Sequence, residues 1–317
     1  MPATRHLASL AIIASVLLVV VAARSSRRAL MRTTPAVVDL RAIYANIRRQ
    51  ADESAPVHWP NAEKIVAKCL RSAGGKVLPP AFDDGNGPIG AYAMLTTENN
   101  LEVLRWCGAA FERFLADVEG TLTTESQRHE HANLLYIVAE RSWHSCVTVF
   151  HEHPSLLPEV DRLKWQSVDA ATAAQLAQAV RQSTSSLAAP QLTLDSLSIC
   201  ADGAMIAGFV DDATGSFSAL RQASADAALA TLGGELTSRP KALIHVTLGR
   251  VLGAPSSQTA DQRQRVAELV RHYNQEAFPA LIDSASPKTL KVSTLSLARD
   301  SVWWMTQYEL HDTWSLS

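Results

Sequence analysis

A chain of 317 residues with 47% hydrophobic and 19% charged content can bury a large core and is too apolar to be disordered. Its net charge of −2 excludes the basic face needed to coat long nucleic acid, so no long-DNA binding is expected, while a short RNA end or a single nucleotide stays open. The four cysteines, Cys69, Cys107, Cys146 and Cys200, are too far apart for a zinc framework or a disulfide scaffold and indicate a reducing compartment.

Residues 1–33 read as a targeting or anchoring segment. Leu7 to Ala23 is apolar apart from Ser9 and Ser15, follows Arg5, and precedes Arg24, Arg27, Arg28 and Arg32. Seventeen residues is the short edge of a membrane span. As a single-pass hydrophobic helix through residues 7–23, it would keep the following domain on the cytosolic side. A cleavable signal, with Val21-Ala22-Ala23 as the small-residue site, and an organelle transit peptide, with no acidic residue before Asp39, are the other readings.

From residue 34 the pattern is that of a folded domain. The spacing predicts a helix over 35–50, a short helix over 61–72 stopped by Gly74-Gly75, and a loop over 76–90. Gly85-Asn86-Gly87-Pro88-Ile89-Gly90 mimics a dinucleotide glycine pattern, but no strand leads into it. Leu101, Leu104, Phe111, Leu115 and Val118 keep helical spacing across 99–118. The apolar, β-branched runs 132–139 and 144–151 predict a hairpin turning at Glu140-Arg141-Ser142-Trp143. An irregular stretch over 155–167 precedes a helix over 168–183. A linker from Ser183 to Pro190 then separates lobe one, about 34–185, from lobe two, about 190–317.

Lobe two is patterned more sharply. Strands Leu192–Cys200 and Met205–Asp211 flank the tight-turn pair Asp202-Gly203. A helix over Phe217–Leu232 ends at Gly233-Gly234, and Asp261–Ala277 is a second helix. Lys291–Leu297 and Val302–Leu310 close the chain as a hairpin about Arg299-Asp300, with one of Trp303 and Trp304 in the core. Between the helices runs Ala242-Leu243-Ile244-His245-Val246-Thr247-Leu248-Gly249-Arg250. On a strand, Ile244, Val246 and Leu248 enter the core while His245 and Thr247 share the opposite face. An imidazole beside a hydroxyl can transfer protons and grip an oxyanion.

His245-Val246-Thr247-Leu248, the helices on either side and the closing run from Val292 to Leu310 resemble one half of a 2H phosphoesterase, the superfamily of RNA-ligase-like and cyclic nucleotide phosphodiesterase enzymes. The resemblance covers roughly 35–317, strongest from 190 onward. It implies an α+β, bilobal fold, with two mostly antiparallel sheets flanked by helices around a central cleft and a His-x-Thr/Ser from each lobe. The upstream counterpart is Ser142-Trp143-His144-Ser145-Cys146-Val147-Thr148-Val149. In one register Cys146-Val147-Thr148 matches with cysteine in place of histidine; in the other His144 is the histidine and Thr148 comes two residues late. Strict alternation would place His144, Cys146 and Thr148 on one face.

What the resemblance implies is hydrolysis of a cyclic phosphate or phosphodiester on a nucleotide or RNA end, without metal or organic cofactor. His144 and His245 would be the acid–base pair, and Thr148 and Thr247 would hold the phosphate. Two other functions follow from the same residues. If Cys146 occupies the first histidine position, the protein binds a phosphorylated ligand without turnover. If the expected hairpin brings His129-Glu130-His131 and His151-Glu152-His153 together at its open end, His129, His131, His151 and His153 could ligate a divalent metal for hydrolysis.

Overall fold

The computed structural model describes residues 39–54, 69–72, 75–82, 86–95, 101–157, 159–162, 165–233, 243–302 and 307–317. All of the architecture below belongs to the unit Leu40–Ser317. The hydrophobic segment 7–23 and residues 61–68 of the helix expected over 61–72 lie outside the described residues, while Leu70–Arg71, at the end of that expected helix, form a strand paired with Val77–Leu78. No helix among the described residues is long and apolar enough to cross a membrane.

Helix α1 spans Leu40–Ser54. Two short strands, β1 (Leu70–Arg71) and β2 (Val77–Leu78), pair with each other. Then come β3 (Ile89–Met94), α2 (Glu102–Gly120), α3 (Glu125–Asn133), β4 (Leu135–Ile137) and β5 (His144–His151). They are followed by α4 (Ala170–Thr184), β6 (Gln191–Ile199), β7 (Ala204–Val210), α5 (Ser216–Thr231) and β8 (His245–Val251). The chain closes with α6 (Ala260–His272), α7 (Phe278–Ser284), β9 (Thr289–Lys291), β10 (Thr294–Asp300) and β11 (Tyr308–Ser315).

Where two sheets were expected, the main strands form one nine-stranded sheet, β11-β10-β3-β5-β8-β7-β6-β9, with β4 also on β8. Every pairing is antiparallel. The order is an interleaved repeat. The first unit runs β3-α2-β5-α4-β6 and the second β7-α5-β8-α6-β10. The third strand of each crosses over: β6 pairs with β7, and β10 with β3. The C-terminal strands thus complete the first lobe, and a pseudo-twofold axis passes between β5 and β8.

One face of the sheet carries the core. Ala91, Val147, Phe150, Ala207, Phe209, Val246, Leu248 and Leu297 meet Leu104, Phe111 and Phe114 of α2 and Phe217 and Leu220 of α5. Each large side chain so buried contributes about 1.5–3 kcal/mol.

Several expected elements differ. The run over 132–139 is not half of a hairpin with 144–151: α3 occupies Glu125–Asn133, and the short β4 pairs with β8. Thr124 and Gln127 form a capping box that starts α3. The helix expected over 261–277 breaks after His272 into a π turn, Tyr273–Ala277. This turn directs Asn274 inward, where its side chain bonds both the N–H and the carbonyl of Ile199. β10 runs through Arg299 and Asp300, so the closing turn comes later, after Ser301. Trp303 and Trp304 lie outside the described residues.

Candidate active site at the pseudo-twofold axis

β5 and β8 touch through a single Cα pair, Ser145↔Val246. Ser145 is fully buried and Val246 sits in the core, so their neighbours point to the other face. Those neighbours are His144 and Cys146 on β5 and His245 and Thr247 on β8. Continuing the antiparallel register one step each way sets Cys146 across from His245 and His144 across from Thr247. In a regular antiparallel pair such cross-strand neighbours have Cβ atoms roughly 5 Å apart and diagonal neighbours roughly 7–8 Å.

The flanking strands repeat the symmetry. On one side the same row continues from Cys146 to Tyr92 and Ser296; on the other it continues from His245 to Gly208 and Ser196. The axis therefore makes Cys146 the equivalent of His245, and Thr148 the equivalent of Thr247.

That equivalence breaks at the threonines. β5 bulges so that Tyr92 faces Cys146 while Ala91 faces Thr148, and Val147 enters the core between them. In β8 the corresponding slip comes later, between the pairs Ile206↔Thr247 and Met205↔Gly249. Thr247 therefore keeps the face of His245. Thr148 is buried, is paired with a core residue, and has lost the strict alternation that would have placed it beside Cys146. The bulge also explains Gly90: a Cβ there would lie 2.6 Å from the Thr148 carbonyl oxygen.

His144 is held firmly. Its Nδ1 lies 2.9 Å from the Ser142 carbonyl, and the ring of Tyr92 meets it edge-on at 5.5 Å. A carbonyl can only accept, so Nδ1 carries the proton and Nε2 presents a lone pair. Burial holds the imidazole pKa below its ordinary value, partly offset by the Ser142 bond. The Tyr92 hydroxyl is itself held well above its ordinary pKa by burial and then by the nearby Asp300 carboxylate.

Arg221 of α5 was not singled out by the sequence. Its guanidinium reaches the gap where the β5–β8 ladder ends. It donates to the carbonyls of Val147 at 2.9 Å and Cys146 at 3.2 Å on β5, and to that of Leu243 just before β8. One planar cation thus satisfies acceptors that the diverging strands leave without ladder partners. An Arg at this point of a helix face carries no local signal, because its partners are 22 or more residues away.

The second histidine group does not converge. His129 and His131 are on α3, with His129 exposed and His131 buried beside a cavity of about 10 Å³ lined by Phe114, Val118 and Val251. That is room for one water. His151 ends β5 against the Trp165 ring, 5.2 Å away, and His153 caps the next turn through Ser155. The hairpin that would have joined the four histidines does not exist. Among the described residues no group of three or more His, Cys, Asp or Glu is placed to hold a metal ion.

Fold and site together define a class: an interleaved α+β protein whose two central strands each present a polar pair to one shared face. No family model matches the chain, and no curated protein does. Among solved structures it is similar to the following chains, at low identity. A phosphoesterase crystal structure aligns at 13% identity and TM-score 0.41, covering 73% of this chain and 99% of that one. Apo LigT of E. coli, a 2H phosphoesterase, aligns at 13% and 0.41, covering 73% and 98%. LigT has also been solved with ATP, 3′-AMP and NADP+. A protein of unknown function from Agrobacterium tumefaciens aligns at 13% and 0.42, covering 76% and 97%.

Proposed function

We propose that this chain is a 2H-type phosphoesterase that opens a cyclic phosphate or phosphodiester of a nucleotide or RNA end. The observation that supports this reading is the Ser145↔Val246 pairing, from which strand alternation favours one shared face for His144, His245 and Thr247. His144, neutral and with Nε2 as acceptor, takes the proton of the attacking water. The water oxygen bonds to phosphorus, the ester P–O bond breaks, and His245 protonates the departing sugar oxygen. The Thr247 hydroxyl donates to a phosphoryl oxygen as charge builds. Thr148 has no part in this reading, because the bulge takes it out of alternation.

The test is turnover of a 2′,3′-cyclic nucleotide by purified protein in EDTA. Product from the wild type, and its loss in His245→Ala by about 10²–10⁴-fold, are the expected results. Wild-type rates in His245→Ala would overturn the mechanism. A second reading rests on the register itself. Since Cys146, and not His144, is the equivalent of His245, the same face would bind a phosphorylated ligand without turning it over. Binding of the nucleotide with no product in the same assay would favour that reading.

A further inference from the structure

We propose that Tyr44 of α1 is a positioning residue for His245, an inference that rests on the phosphoesterase reading of the site. α1 lies outside both repeats, yet it reaches the row that holds His245. The side chain of Tyr44 is fully buried. Its ring fills the space left by Gly208, the cross-strand partner of His245: a Cβ on Gly208 would lie 2.6 Å from the ring carbons. Gly208 would have pointed to the same face as His245, so Tyr44 comes in from the site side of the sheet.

Its hydroxyl reinforces the next rung, where the Phe209 N–H donates to the Ile244 carbonyl at 2.8 Å: it donates to the same Ile244 carbonyl at 2.5 Å and accepts from the same Phe209 N–H at 3.1 Å, one step from the Gly208↔His245 pair. On the β5 side the ladder offers only one pair beyond His245, so the backbone at the start of β8 is held from the β7 side, at the rung where Tyr44 adds its hydroxyl. From the opposite side of the sheet Arg221 holds the carbonyl of Leu243. The two residues before His245 are thereby tied by side chains from two helices, and the imidazole inherits a fixed backbone. An error of about 1 Å in such a group costs up to 10²-fold in rate.

The experiment is Tyr44→Phe, which keeps the ring in the Gly208 niche and removes only the hydroxyl. Two readouts are taken: steady-state hydrolysis of a 2′,3′-cyclic nucleotide, and the imidazole Cε1–H NMR signal of His245, assigned by its absence in His245→Ala. The expected result is kcat down about tenfold with KM within about twofold, and a displaced His245 signal while that of the distant His272 stays put. A Tyr44→Phe protein with an unmoved His245 signal overturns the proposal, whatever happens to its melting temperature. If the wild type turns over no cyclic nucleotide, the phosphoesterase reading fails separately, and the NMR signal alone decides whether Tyr44 positions His245. Gly208→Ala, which must push the Tyr44 ring aside, is expected to move the same signal.

Discussion

Histidines dominate this molecule at the scale of single residues. His131, His144 and His151 are all held below the ordinary imidazole pKa, each chiefly because burial disfavours the charged ring. His151 is pushed down to about 4, with the nearby Arg299 adding to the effect. The sign follows directly. A group whose pKa is lower in the folded state binds fewer protons there than in the unfolded chain, where imidazoles titrate near 6.5. Its stabilising contribution is complete above about pH 6.5 and is lost as pH falls through the window down to about 4. The expected outcome is a melting temperature flat above pH 7 and falling through that window. His151 alone would account for roughly 3 kcal/mol, so His151→Gln should flatten the decline. A melting temperature independent of pH between 7 and 4.5 would contradict the burial argument.

How much the sequence disclosed also turns on single residues. His245 and Thr247 were legible because β8 alternates cleanly and its bulge falls beyond them. Thr148 was misplaced by the same rule, because the bulge at Val147 and Thr148 leaves no mark on the residue pattern. Tyr44 and Arg221 could not be found by periodicity. Their significance lies in partners such as Ile244, 200 positions from Tyr44, and Cys146, 75 from Arg221.

Elements show a similar division. Long amphipathic helices such as α2 were readable from spacing, since one face must enter the core. α3 was not, because Glu-Ser-Gln-Arg-His-Glu-His-Ala-Asn has no apolar stripe. The overlooked signal was its capping box, Thr124 with Gln127. The box has a counterpart at the start of α6, Thr259 with Gln262, and the two glutamines bond each other reciprocally at 3.1 Å. Gln262 also donates to the Thr121 carbonyl, and Gln127 to that of Ser257. Two helix starts are therefore locked through one buried pair. Gln262→Leu removes a cap and leaves Gln127 and the Thr121 carbonyl without this partner. The expected cost is about 2–4 kcal/mol in chemical denaturation. A loss under about 0.5 kcal/mol would mean that water replaces the pair.

At the scale of the whole molecule, the interleaved repeat explains why the site lies where it does. Exchanging β6 and β10 between the lobes leaves β5 and β8 as the central pair, so the polar pairs of both halves meet at the axis. The sequence suggested two lobes but not their merging into one sheet, because strand exchange is a property of pairing and leaves local pattern unchanged. Departure from symmetry is what separates function from fold here: Cys146 stands where a second histidine would be expected, and His144 lies one step along the same face. The central claim is that His144 and His245 serve one phosphodiester. A double-mutant cycle on 2′,3′-cyclic nucleotide turnover, with His144→Ala, His245→Ala and the pair, tests it most directly. Each single change is expected to lower kcat by about 10² or more, and the double mutant to be little worse than the more damaged single mutant, as for groups acting as a unit. Full activity in His144→Ala, with all loss confined to His245→Ala, would contradict it.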